Sequence, residues 1–480
     1  MSNLFFLGSL IIVFGIIYFL DLMFRSCMLF PYIKFLHDTG IVIKPLTICW
    51  ETTCLNRTFM RCGSIKPICL RRWFQVGAFV VSLSVIPALC ILFIPVFQFL
   101  SYDDRTPIFM PIIPGLNLPY SQLLYYSFSL FICVTVHEFG HALAASREKV
   151  PIEGFGLAIF GIFPMAYVRM SVEHLRQINI SQQLRIYSAG IWHNLVLAAV
   201  ALALLSTSPF ILKPLYQQGN GVTVIDVKQD SGLGQKGGLM KEDTLIGVNE
   251  CLVQTENNWK SCIHQEYAKL QSGFCVHEAF YKKEDIAVKK NGTSSDCCPE
   301  TNKNMCFRFS DHDLDQLMCL PARELAENAK MCVDHQDCWR EFCLIPVLES
   351  KSERFLRIKL SSKRAVFYVG PIEEIFSSVA VSPWVSNYAA VCYADMFELL
   401  LGYIFSFSCG LAILNTIPLF WLDGNYIIEC VINGYLKSFI SEFSCRYMLI
   451  FTFKIVGCIG LLFSILISLL KFDIYKFNEF

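Results

Sequence analysis

His137-Glu138-Phe139-Gly140-His141 sets two imidazoles four residues apart with a carboxylate beside the first. On a helix, residues four apart share a face, so both histidines can hold one metal ion. Glu138 falls on the adjoining face, where it can take a proton from a water that the metal activates. In a chain of this composition the pattern arises by chance roughly 0.01 times, so it is moderately specific alone. Its setting sharpens it. The pentapeptide closes an uncharged run at 106–136, and ionisable groups at membrane depth are expensive and default to function. The bland alternative is a pair of interfacial histidines near a helix end.

Two histidines leave a zinc ion short of a third protein ligand. The apolar run Leu399–Leu422 ends in Asp423-Gly424, and Asp423 is the only acidic residue between Glu398 and Glu429. Taken alone it reads as an interfacial helix cap; beside a two-histidine site it reads as the third ligand. Pro418, five residues earlier, lacks an N–H and breaks the helix, which frees carbonyls near the site. Asn194 and Asn415 are amides in apolar stretches and must find partners, either on a neighbouring helix or in the site. His193 diverges from Asn194 by about 100° on a helix, so it stays outside the metal shell.

These residues need helices in a bilayer to carry them. The chain has 480 residues, 54% hydrophobic and 17% charged, where soluble domains run nearer a quarter charged. Its net charge of zero implies no nucleic-acid partner. Runs at 3–20, 73–99, 121–146, 187–212, 399–422 and 448–470 are each long enough to cross a hydrocarbon core, which predicts a polytopic α-helical membrane protein with about six spans. The first lacks a basic n-region and a cleavage site, and reads as an anchor. Phe155–Val168 is apolar but too short to span, and reads as a re-entrant membrane hairpin beside the third helix. Residues 24–73 carry eight basic side chains against Asp38 and Glu51, which marks a cytosolic loop. Five cysteines in that loop leave a lumenal placement conceivable.

On this topology 213–390 lies on the opposite face. Ten cysteines between Cys251 and Cys343, without paired Cys-x-x-Cys spacing, argue for disulfides over zinc. The sequon at Asn291 is expected to be glycosylated, and those at Asn56 and Asn179 silent.

With the motifs at 137–141, 415–418 and 422–424 in place, and Ala189-Gly190-Ile191-Trp192-His193-Asn194 between them, the chain resembles the site-2 protease family of intramembrane zinc metalloproteases. The cysteine-rich insert brings it nearest to animal members, and the likeness covers nearly everything from residue 70 onward. The resemblance implies one Zn2+ per chain held by His137, His141 and Asp423, with Glu138 as catalytic base. It implies that Asn194 and Asn415 support substrate or transition state near the zinc. It also implies transmembrane substrates in the lipid bilayer, namely type II membrane transcription factor precursors of the sterol-regulatory and unfolded-protein-response kind, trimmed first on the lumenal side. Golgi or endoplasmic reticulum residence goes with that role. Residues 221–227, 237–239 and 243–249 look like the first half of a PDZ domain, which this family carries, resuming near 354–360 and 366–369. The expected layout is 1–72 for anchor and loop, 73–212 for the first membrane core, 213–390 for a lumenal PDZ-like domain with an insert at 262–350, and 391–480 for the second membrane core. A membrane transporter is the first rival, but no internal repeat is visible. A catalytically dead PDZ-bearing scaffold is the second, and it should lack one of the four site residues.

Overall fold

In a computed structural model, residues 2–100, 120–235, 237–277, 298, 304–311, 314–348, 350, 352–386 and 388–478 are described; Asn291 and Cys297 lie outside them. The chain divides into two compact units, Met1–Ser206 with Leu399–Phe480, and Thr207–Glu398. Six of the described helices are long and apolar enough to cross a membrane.

The first unit opens with α1 (Ser2–Ser26) and α2 (Phe30–Thr39). Helix α1 outruns the expected 3–20 because Asp21 does not end it. Arg25, one turn on, lies 2.9 Å from the Asp21 carboxylate, and Tyr32 donates to the same oxygen. Next come β1 (Ile41–Lys44), β2 (Thr47–Thr52), α3 (Asn56–Ser64) and α4 (Pro67–Leu100). Helix α5 (Leu123–Arg147) carries the HExxH segment and leads into a hairpin, β3 (Ile152–Phe160) and β4 (Phe163–Met170). This hairpin is not alone. Strand β2 pairs antiparallel with β3, giving a four-stranded sheet in the order β1-β2-β3-β4 with β4 at an edge. The basic loop is therefore partly folded, and α3 is pinned to the start of β3. Asn56 Nδ2 donates to the carbonyls of Ile152 (3.0 Å) and Glu153 (3.2 Å).

That bond gives Asn56 a structural role in the folded loop, and on the expected cytosolic side its sequon stays unmodified. Glycosidase treatment is expected to shift the protein's mobility equally in wild type and Asn56→Gln. A glycosidase-sensitive band lost only in Asn56→Gln would refute this and reverse the sidedness of the loop.

Short α6 (Val172–Gln177) leads to α7 (Ile180–Leu212), which starts a full two turns before the expected Tyr187. The early turns are polar on one side, and Arg185 there pairs at 2.8 Å with Glu148, just past α5.

The second unit is built on an antiparallel sheet. Its strands are β5 (Val222–Val227), β6 (Thr244–Val248) and β7 (Cys251–Leu252), then, after α8 (Glu256–Ala268), the strands of a second sheet. That second sheet has β8 (Gly273–Val276), β9 (Asn304–Asp311), β10 (Leu314–Pro321), β11 (Met331–Cys332) and β12 (Phe342–Pro346), with α9 (Ala322–Asn328) on it. The chain then returns to the first sheet through β13 (Glu353–Leu360), β14 (Ala365–Pro371), α10 (Ile372–Ser378) and β15 (Val379–Ser382), for the order β14-β13-β6-β5-β15. Helix α8 belongs to the first sheet, since its Trp259, Cys262 and Ile263 are buried in the same core as Val224, Leu245 and Ile358. The insert thus folds from Gly273, later than the expected 262. Disulfides join Cys251 to Cys262, Cys275 to Cys338, Cys298 to Cys319 and Cys332 to Cys343, and Cys306 is also disulfide-bonded. The link across 63 residues removes unfolded-state freedom worth about 4 kcal/mol. By contrast Cys27, Cys49, Cys54, Cys62 and Cys69 of the basic loop are free thiols.

The last three helices return to the first unit: α11 (Cys392–Thr416), α12 (Asp423–Gly434) and α13 (Phe443–Asn478). The run 399–422 is not one span. Helix α11 starts seven residues earlier and stops at Thr416, because Pro418 cannot continue it. Residues 417–422 are non-helical, and Asp423 opens the next helix. Close approach makes this turn possible: a Cβ on Gly424 would overlap the carbonyl oxygens of Thr416 and Ile417. Buried residues of α4, α7, α11, α12 and α13 form one apolar core, with Val81, Ile191, Ala412, Ile427 and Ile450 among them.

Candidate active site

Helix α5 is apolar and free of proline, so its 3.6-residue period turns His137 and His141 to one side. That side faces α7, and both rings are buried. Three residues of α7 spaced by four meet them. At Ile186 the backbone carbonyl lies 2.8 Å from His141 Nδ1. A carbonyl only accepts, so Nδ1 carries the proton and Nε2 keeps its lone pair. At Asn194, fully buried, the amide lies 3.1 Å from His137 Nδ1, and its Oδ1 has no partner. With Oδ1 turned onto Nδ1–H the orphan oxygen is satisfied, and His137 Nε2 is likewise free to ligate. Between them stands Gly190. A Cβ there would overlap His141 Nε2 and come within 2.6 Å of His137 Nε2.

The third atom arrives from α12. Asp423 Oδ2 lies 3.0 Å from His137 Nε2 and 3.1 Å from His141 Nε2, and the two nitrogens are 3.1 Å apart. Three lone pairs at this spacing repel unless a cation lies among them. Tetrahedral zinc with bonds of ~2 Å sets its donors ~3.3 Å apart, so the spacing and the donor types fit. The donor set also leaves a fourth position open, as hydrolytic zinc sites require. Another cluster of metal-ligand type, Cys275, Cys332 and Cys338, is committed to disulfides.

Glu138 is held apart from the three ligand atoms. Its Oε2 accepts from the backbone N–H of Val168 on β4 at 3.0 Å. It lines a cavity of about 550 Å³ together with His141, Asp423, Arg176, Tyr187 and Tyr426. The two tyrosines stack at 4.8 Å, tying α7 to α12 beside Asp423. Of the other residues singled out in the sequence, Asn415 donates to its own helix, Nδ2 to Leu411 O at 3.0 Å. His193 Nδ1 donates to Ala189 O at 2.7 Å, which accounts for its staying outside the metal group. Gly190 and the Ile186 carbonyl escaped the sequence reading. Only the small pair Ala189-Gly190 in an apolar helix hinted at close helix contact.

The model of peptidase family M50 matches residues 125–456, a segment that contains every one of these groups. The chain belongs to family M50. A membrane-bound transcription factor site-2 protease homolog from Arabidopsis thaliana is 25% identical over 465 residues, covering 81% of this chain and 89% of that protein. Membership in this site-2 protease family indicates a metalloprotease, and M50 peptidases are zinc-dependent. The six apolar helices agree with a multi-pass M50 membrane protein.

Proposed function

We propose that this chain cleaves a peptide bond within or beside a substrate's transmembrane helix, with His137, His141 and Asp423 holding zinc and Glu138 moving the proton. One observation carries the reading: three candidate ligand atoms within 3.1 Å, with a carboxylate at the same cavity, the histidines and Glu138 on the membrane-spanning α5 and Asp423 at the start of the short α12. When bound, zinc polarises the scissile carbonyl and lowers the pKa of a water toward ~7. Glu138 takes that water's proton and returns it to the leaving amine. Val168 N–H aims the carboxylate, and Asn194 fixes the tautomer of His137. Asn415, one turn from Leu411 and next to the helix end, supports the substrate backbone or oxyanion once its amide leaves the Leu411 carbonyl. Metal content and cleavage of a transmembrane reporter, compared between wild type and Asp423→Asn, test the assignment. Asp423→Asn is expected to lose zinc under mild chelation; full retention would point to another third ligand.

His137 lies ten residues before Arg147, so it sits roughly 15 Å below the helix end. A substrate helix at that depth hides its carbonyls in its own hydrogen bonds and must unwind. Strand β4, the sheet edge at Glu138, offers pairing to the extended segment, as in other cases of strand addition. On this reading the hairpin is re-entrant in the membrane. Replacing Pro or Gly in a client's helix by leucine adds ~1–3 kcal/mol to unwinding, so cleavage should fall ~5- to 150-fold. Equal rates for leucine-only and broken helices in a reporter assay would remove the unwinding requirement.

The printed name of the relative, a membrane-bound transcription factor site-2 protease homolog, supports membrane-bound transcription factors as clients. That these are precursors of the sterol-regulatory and unfolded-protein-response kind, cut after a lumenal cleavage in the Golgi or endoplasmic reticulum, is our proposal from the family resemblance alone. The disulfides of 251–343 and the free thiols of 27–69 support a lumenal second unit and a cytosolic loop. The lumenal unit, read as PDZ-like, then acts as a filter against bulky ectodomains, and Asn291 carries the glycan.

A further inference from the structure

Lys454 is the charge that the chemistry above leaves unused. It lies in α13 inside the Phe443–Ser468 span, and its side chain is 13% exposed. Its Nζ is 2.8 Å from Glu429 Oε1 on α12 and 5.6 Å from the centre of the Phe420 ring. Burying the Lys454 ammonium against a half-exposed Glu429 is a costly way to join two helices, since well-packed apolar side chains do so without desolvating charge. Helix α12 already has a second polar tie to α13, Arg446 to Asn433 at 3.3 Å. What a cation alone adds is attraction to the face of an aromatic ring.

The two partners of Lys454 bracket Asp423, with Phe420 three residues before it and Glu429 six after. Residues 417–422 carry only short turn bonds, such as Leu422 N–H to Leu419 O at 3.1 Å, in place of a helical ladder, yet they determine where Asp423 starts α12. The same segment lies against α13 one turn beyond Lys454: a Cβ on Gly457 would stand 3.1 Å from Ile417 Cγ2 and 3.3 Å from Pro418 O. We propose that Lys454 is a positioning residue that, through Glu429 and Phe420, clamps both sides of Asp423 and so sets the affinity of the metal site. This rests on Asp423 being a ligand.

The test is zinc retention by the full-length protein against graded chelator, in wild type, Asp423→Asn, Lys454→Met, Lys454→Arg and Phe420→Leu. Lys454→Met is expected to weaken zinc retention on the order of 10-fold, as loss of a ligand's supporting contact does. Lys454→Arg, which can both pair with Glu429 and cover Phe420, should keep it. Phe420→Leu leaves the ion pair intact and should weaken retention in the same direction, and it carries the test if Lys454→Met fails to fold. Wild-type retention in Lys454→Met, or in Phe420→Leu where that variant carries the test, beside loss in Asp423→Asn, overturns the clamp and leaves the ligand reading standing. Equal loss in Lys454→Met and Lys454→Arg also overturns it, because charge would then be irrelevant. Full retention in Asp423→Asn removes the ligand reading and the clamp with it.

Discussion

Glu138→Gln is expected to abolish reporter cleavage, with a fall of ~10³- to 10⁴-fold at the level of a lost general acid–base group, while the purified protein keeps its zinc. The two halves of this result come from different parts of the geometry. Glutamine preserves the length and shape of the side chain, and its oxygen can still accept from Val168 N–H, the bond that now measures 3.0 Å. The cavity wall therefore stays as it is. The three atoms grouped to hold a metal are on His137, His141 and Asp423, and Glu138 is not among them, so on the proposed roles metal retention has no reason to change. What disappears is a carboxylate able to take a proton beside His141 and Asp423. Metal analysis of the purified variant alongside the cleavage assay checks both halves. Zinc loss in Glu138→Gln would mean that Glu138 is a ligand and that the roles above are misassigned. Residual cleavage within about 10-fold of wild type would mean that another group moves the proton.

The parts of this site that were legible in the sequence are those whose residue types name their chemistry. Two histidines at helical spacing with a glutamate beside them suggest a metal site and its base, and a single aspartate after a long apolar run becomes a candidate third ligand once they are read together. The parts that were not legible depend on what touches what. Asp423 reads as the end of a span, but the structure makes it the start of α12, because Pro418 stops the helix six residues before a sequence of hydropathy would. The strands at 41–44 and 47–52 were hidden in a segment weighed for its charges. Their β-branched and aromatic residues flank a Pro45-Leu46 turn in which Leu46 has a φ of 58°, a strand signal too short to outweigh the basic count. Asn194 was read for the substrate, yet its amide lies on the far nitrogen of His137, a relation between helices 57 residues apart in sequence.

Gly190→Ala is the second large effect, and it concerns a residue with no chemistry of its own. One methyl group is added, and in most apolar helices that exchange is stabilising by up to ~1 kcal/mol through helix propensity. Here the added carbon would stand 2.6 Å from His137 Nε2 and overlap His141 Nε2, forcing apart the two nitrogens that would hold a metal ion. Neither ring can swing aside cheaply. His141 is held by the Ile186 carbonyl at 2.8 Å and His137 by the Asn194 amide at 3.1 Å, one turn to either side of Gly190 on the same face of α7. Helix α7 cannot back away either, because Ile191 is buried in the core shared by α4, α11, α12 and α13. Overpacking of this kind costs ~1–3 kcal/mol, which a protein of this size survives, so the variant should fold. It should nevertheless lose its zinc and all cleavage. Gly402→Ala provides the control, since a Cβ at Gly402 meets nothing within 4 Å. The two variants differ in the position of one methyl group, and zinc stoichiometry of the purified proteins separates them. If Gly190→Ala binds zinc as wild type does, the cradle between α5 and α7 is not where the metal sits, and the tautomer argument built on Ile186 and Asn194 falls with it.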